Sequence, residues 1–255
     1  MHRSELLIQF SRLSPVSRRT FVGSALFTTP QETTQALFGP LHYEPGYAYP
    51  LIVWLHSPGT DERQLLRIMP FVDIRNYVAV APRGARVRSG KGSHAERYGW
   101  PQTAQGIQLA EQRVFDGIDV AAQKYHIASK SIYLAGFGSA GTMAFRIAFS
   151  HPGRFAGVLS FCGALPRGGN PLSRIDDARR LPLMLGFGRR SRVYSPARGC
   201  ADLRLLYTAG FPVIDVRDYP YGQELTAQML GDMNRWIMKR IETSRAAVAR
   251  GSSSY

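Results

Sequence analysis

The sequence predicts an α/β fold built on a mostly parallel, doubly wound sheet. Two observations carry this expectation. From Tyr49 onward, short and almost wholly apolar runs alternate with longer segments of helical periodicity. Most of the runs are bounded by proline or glycine, which punctuate strands. Runs of this kind suit parallel strands covered on both faces, since neither face meets water.

Taken in order, an antiparallel strand or two is expected within Gln35–Tyr43. Leu51–His56 is the first long strand, bounded by Pro50 and Pro58, and Tyr77–Ala81 is the second, closed by Pro82. In Ala104–Tyr125, Ile107, Val114, Ile118, Ala121 and Tyr125 recur at multiples of three and four, giving one apolar stripe on a helix. Ser131–Ala135 is the next strand, closed by Gly136. Phe155–Phe161, Leu181–Leu185 and Pro212–Val216 complete the set, and a helix over Gln223–Arg240 buries Leu225, Met229, Met233 and Trp236. One domain therefore spans residues 35–241, after an N-terminal extension (1–34) and before a flexible tail (242–255) ending Gly-Ser-Ser-Ser-Tyr.

Composition narrows the function classes. At 255 residues, 44% hydrophobic and 20% charged, the chain is neither collagen-like, disordered nor a membrane bundle. The apolar stretch Ser131–Phe145 falls short of the roughly 20 residues that cross a bilayer. Two cysteines, Cys162 and Cys200, are too few for a disulfide framework and wrongly spaced for zinc, so neither a metal nor a cofactor is expected. Ser17-Arg18-Arg19-Thr20-Phe21 has the look of a twin-arginine export motif, but the apolar run after it is short and no small-residue cleavage site follows. The expected compartment is the cytoplasm. The net charge is +14, and 28 of the 32 cations are arginine. Arginine suits planar anions, and the same excess also arises from genomic bias.

Chemistry in such sheets collects at the carboxyl ends of the strands. There the segment Leu134-Ala-Gly-Phe-Gly-Ser-Ala-Gly-Thr-Met-Ala144 reads as strand, sharp turn and helix, the architecture of a nucleophile elbow. The tight turn needs small residues two before and two after the nucleophile, and Gly136 and Ala140 fill those places around Gly138. This segment resembles the phospholipase/carboxylesterase family of α/β-hydrolases, which includes acyl-protein thioesterases. Family members carry Gly-Phe-Ser-Gln-Gly-Gly at the same point. The likeness continues through Phe145–Ser160 and includes Leu55-His56, Leu185-Gly-Phe-Gly188 and Tyr221-Gly-Gln-Glu-Leu225 in the same order, covering Gln35 to Met238. The resemblance implies a single-domain α/β-hydrolase fold and an ester-hydrolase ancestry.

Laid on the family's motifs, the nucleophilic serine falls at Gly138, the acid at or beside Ser191, and the histidine base at Gln223. None of these can perform the role the resemblance assigns. None of the six histidines lies beyond His151, whereas the family takes its base from the loop after the last strand. The oxyanion-hole region maps to Ser57, Pro58 and Ser139, and Pro58 has no N–H to donate. Two function classes remain open: a non-catalytic homologue that binds something anionic, or an active esterase with rearranged chemistry using Ser139.

For the first class the binding candidates are arginines. Arg83 and Arg86 follow the Tyr77–Ala81 strand, and Arg189 and Arg190 follow Leu181–Leu185, so both loops leave the carboxyl edge of the sheet. If they converge over the elbow they rim a crevice for an anionic small molecule or an acidic protein segment, with Tyr98, Trp100 and Phe137 as its floor. A solvated basic surface is the competing reading. Nucleic acid is not expected, since these cations sit on loops rather than along one helix or sheet face. His56 reads as a buried structural imidazole, His151 as a helix-end surface residue, and Asp176-Asp177 as a solvated charge patch.

Overall fold

The computed structural model describes residues 34–87, 96–169 and 171–251. Its main sheet contains seven strands in the order β1-β3-β2-β6-β7-β8-β9. These are β1 (Gln35–Phe38), β2 (Tyr49–Leu55), β3 (Val78–Pro82), β6 (Ile127–Phe137), β7 (Gly157–Phe161), β8 (Leu183–Gly188) and β9 (Ile214–Tyr219). β1 runs antiparallel to β3 and every other pairing is parallel. Two short strands, β4 (Ala85–Val87) and β5 (Arg97–Gly99), form a separate antiparallel hairpin.

Helices cover both faces, as the apolar runs of β2, β3 and β7 require: all their residues are buried. On one face α2 (Ala104–Lys124) and α3 (Ser139–Ser150) close over Leu51, Val53, Val80 and Leu134. On the other, α1 (Gln64–Val72) and α6 (Ala227–Gly251) close over Ile52, Trp54, Ala79 and Tyr133. α4 (Ile175–Ala178) and α5 (Pro196–Thr208) link the last three strands. Among the described residues no helix is long and apolar enough to cross a membrane.

Three expectations need correction. α6 starts at Ala227 rather than Gln223, because Gln223 is used in the loop, where its side chain turns inward. The helix also continues to Gly251, so most of the segment read as a flexible tail is helical. Its residues from Glu242 to Arg250 include neither glycine nor proline, so nothing local stops the helix before Gly251. Finally, Trp100 packs with the α2/α3 cluster and Phe137 with the α1/α6 cluster, so they lie on opposite faces of the sheet and share no floor. The N-terminal extension, apart from Thr34, and the loop residues 88–95 lie outside the described residues.

Candidate active site

The turn between β6 and α3 has the geometry of an elbow. Gly138 precedes α3 with φ 63° and ψ −129°, a conformation glycine adopts without strain. Its N–H donates to the Phe161 carbonyl (2.8 Å), and its carbonyl accepts from Thr142 N–H (3.2 Å). Gly136 is needed for close approach: a Cβ there would lie 2.6 Å from the Ala140 carbonyl carbon. At Gly138 the surroundings are roomier. A Cβ would sit 3.5 Å from the Pro58 ring and 3.6 Å from Gln223 Nε2, ordinary contact distances.

Two loops bring Ser191 and Gln223 to this point. The backbone stitches them together, Arg189 N–H donating to Tyr219 O (2.8 Å) and Arg190 N–H to Tyr221 O (3.0 Å). Ser191 Oγ then donates to Gln223 Oε1 (2.6 Å) and accepts from Tyr194 N–H (3.0 Å). Gln223 Nε2 donates to the Cys162 carbonyl at 3.2 Å. Gly138, Gln223 and Ser191, far apart in sequence, thus form one continuous cluster at the carboxyl edge of β6, β8 and β9. The polar side chains of Ser191 and Gln223 are paired with each other or with the backbone, and none of these three residues is titratable.

Cys162 is the participant that the sequence reading missed. It is a buried residue with φ 54°, an uncommon value for a non-glycine side chain. Burial pushes its thiol up, away from the thiolate form. Its contribution to the cluster is a backbone carbonyl. The signal available in the sequence was its position at the carboxyl end of a core strand, one residue after Phe161.

Of the expected oxyanion-hole residues, Ser57 N–H is already committed to Gln64 Oε1 (2.8 Å), and Pro58 offers only its ring. Ser139 is the first residue of α3, so its backbone N–H belongs to the helix start. Each described histidine that the structure gives a side-chain partner points elsewhere. His56 is fully buried, and its Nε2 accepts from Gly84 N–H (2.8 Å). Burial lowers its pKa, outweighing the Ser57 carbonyl and nearby carboxylates that favour the cation. His126 Nδ1 meets Pro45 O and His151 Nε2 meets Glu111. Asp176 and Asp177 pair with Arg179 and Arg174 on the surface, as expected of a solvated patch.

The arginine candidates leave the same edge but flank the elbow from opposite sides, since β3 and β8 each stand two strands from β6. At ordinary strand spacing that is roughly 10 Å each way. Three of the four meet carboxylates. Arg83 makes a two-pronged pair with the buried Glu62 at 2.6 Å and lies over the Tyr98 ring. Arg86 pairs with Glu96 (3.0 Å) and Arg189 with Asp218 (2.5 Å), both exposed pairs. Arg190 is exposed.

Comparison with known proteins agrees with this architecture. Solved structures of similar fold include SOBER1 from Arabidopsis thaliana, 19% identical over 76% of this chain and 100% of that one, with a TM-score of 0.63. Acyl-protein thioesterase 2 from Zea mays is 16% identical over 81% and 98% of the two chains, with a TM-score of 0.61. A carboxylesterase from Mesorhizobium loti is 17% identical over 83% and 97%, with a TM-score of 0.64. At these identities the likeness speaks for the fold. The phospholipase/carboxylesterase family model matches residues 93–241, well over half the chain, and the protein belongs to that family.

Proposed function

We propose that this chain is a non-catalytic member of the family, in which Gly138, Ser191 and Gln223 hold the places of nucleophile, acid and base. One observation supports this above the rest: the Gln223 amide nitrogen lies 3.6 Å from where a side chain at 138 would begin, while its oxygen accepts from Ser191. A nucleophile, base and acid in a serine hydrolase are linked in that order. Here the chain of contacts persists in amide and hydroxyl groups. Glycine supplies no nucleophile, and an amide nitrogen accepts no proton near neutral pH.

The reading in which Ser139 replaces the missing nucleophile draws no support from the site. Among the described residues no histidine is hydrogen-bonded to it. The arginine rim adds little for the anion-binding reading, because three of its four guanidinium groups already meet carboxylates. The test is hydrolysis of p-nitrophenyl acetate and butyrate by the purified chain, together with labelling by a fluorophosphonate. Neither turnover above buffer nor covalent labelling is expected. Turnover that disappears in Ser139→Ala would overturn the proposal and make Ser139 the nucleophile.

A further inference from the structure

Arg146 lies in the middle of α3, in the apolar sequence Met143-Ala-Phe-Arg-Ile-Ala-Phe149, and is only 4% exposed. Among the described residues its guanidinium meets no carboxylate. Nε donates to Gln102 Oε1 (3.2 Å), and the two terminal nitrogens donate to the carbonyls of Gly168 (2.9 Å) and Arg167 (3.0 Å). A guanidinium has five N–H groups, so this arrangement uses three and leaves one on each terminal nitrogen. The cation borders an open groove of about 790 Å³ between α2 and the 167–169 loop. Ile107 and Phe115 give the groove an apolar wall, Gln108 lies at its exposed lip, and the exposed Arg167 adds a second positive charge. Its one carboxylate, Glu111, meets His151 Nε2 rather than the guanidinium.

A buried cation held only by neutral acceptors has lost its water without gaining a counter-charge. An oxyanion in the groove would supply that charge and accept from the N–H groups that remain, in the charge-assisted hydrogen bonds for which guanidinium is suited. The Ile107–Phe115 wall would cover an attached apolar body, and the groove's volume suits a small organic ligand. We propose that this groove binds a small organic anion, a carboxylate or phosphate on an aromatic or aliphatic body, with Arg146 recognising the charge. The inference does not depend on whether the elbow is catalytic.

The test is calorimetric titration of the full chain with phenyl phosphate, benzoate, inorganic phosphate and benzylamine. Saturable millimolar or tighter binding of at least one aromatic anion is expected, with weaker binding of inorganic phosphate and none of benzylamine. The better of phenyl phosphate and benzoate identifies which oxyanion the fork prefers. Arg146→Lys keeps the charge and loses the fork, and should weaken that ligand about tenfold or more. Gln108→Trp caps the groove from an exposed position and should have a similar effect with thermal unfolding unchanged, which keeps the test valid if Arg146 variants fold poorly. Absence of saturable binding by both aromatic anions overturns the proposal. So does binding that survives Gln108→Trp but is lost in Arg189→Ala with Arg190→Ala, because the ligand would then sit at the rim.

Discussion

At the elbow, three loops bring Gly138, Ser191 and Gln223 together: Ser191 and Gln223 are hydrogen-bonded to each other, Gly138 stands beside the Gln223 amide, and none of the three carries a charge. At the arginine rim, charge is abundant, but the loops that carry it leave strands on either side of β6, and three of the four guanidinium groups meet carboxylates of their own. The first region brings neutral groups together. The second carries charge on loops from strands that stand apart. Placement of the loops is a property of the sheet and its backbone bonds, so it does not depend on which side chains the loops carry. Charge is a property of single residues, and whether it forms a site depends on partners that lie elsewhere in the chain.

The largest effect that can sharpen this contrast is a gain of activity. If the elbow geometry is intact, the triple variant Gly138→Ser, Ser191→Asp, Gln223→His should hydrolyse p-nitrophenyl acetate about 10²-fold or more above the parent, whereas Gly138→Ser alone should not, because triad members act as a unit. The gain should stay about 10²–10³-fold below a complete site, since Pro58 denies the oxyanion one donor. A folded triple variant with no turnover would show that the cluster only looks like a triad.

The next effect concerns the one buried ion pair of the rim. Burial pushes the Glu62 carboxyl up, but the Arg83 hydrogen bonds and charge, with help from its own backbone N–H, outweigh this and hold it below its ordinary value. A carboxylate so depressed stabilises the fold fully above its unfolded pKa, and the stabilisation drains as pH falls through the folded pKa. Glu62→Gln leaves a partly exposed Arg83 without its counter-charge. It should cost about 2–3 kcal/mol at neutral pH, at or below the range for breaking buried pairs because solvent reaches Arg83. The loss should shrink in acid, where the parent is protonated too. Chemical denaturation at pH 7 and pH 3 measures both.

At the elbow the corresponding change is smaller and conformational. Gly138→Ala should fit sterically, since the nearest atoms lie at 3.5 Å, yet hold a non-glycine residue at φ 63°. The expected cost is about 1–3 kcal/mol, the range for backbone strain of this kind. No loss in stability would mean the loop relaxes, and that the elbow geometry does not require glycine at 138.

These regions also differ in how far they could be read from the sequence. The central strands were legible because burial on both faces leaves continuous apolar runs. α5 was not, since it buries only Gly199, Asp202 and Leu206 and shows no stripe. The β4–β5 hairpin has three-residue strands with a single buried residue, too short to show an alternation, and α1 carries Pro70, which argues against a helix. At the site, glycine spacing around 138 and the order of five segments singled out Ser191 and Gln223, which are hydrogen-bonded to each other. Cys162 was legible as a buried residue after a core strand but not as a member of the site, because its role there is a carbonyl. Arg146 had a signal that went unused: a lone cation within an apolar helix. The pairing of Arg83 with Glu62, 21 residues earlier, follows no periodicity and needed coordinates.

The smallest expected effect separates the exposed rim from both buried regions. Arg189 and Asp218 form a close pair, and their mutual hydrogen bond is the main cause that raises the arginine and lowers the aspartate from their ordinary values. Both side chains nevertheless stand in solvent, 62% and 47% exposed, where water and salt screen the attraction and ordering two side chains opposes it. The backbone bonds of the same loop, Arg189 N–H to Tyr219 O and Arg190 N–H to Tyr221 O, do not depend on the side chains. Arg189→Ala should therefore leave the melting temperature within error at physiological salt, and leave the loop where it is. The second point can be read from Ser191, whose hydrogen bond to Gln223 gives a protected hydroxyl and side-chain amide by NMR. If Arg189→Ala instead lowers the melting temperature by several degrees and frees those signals, the salt bridge helps to seat Ser191, and rim and elbow form one unit.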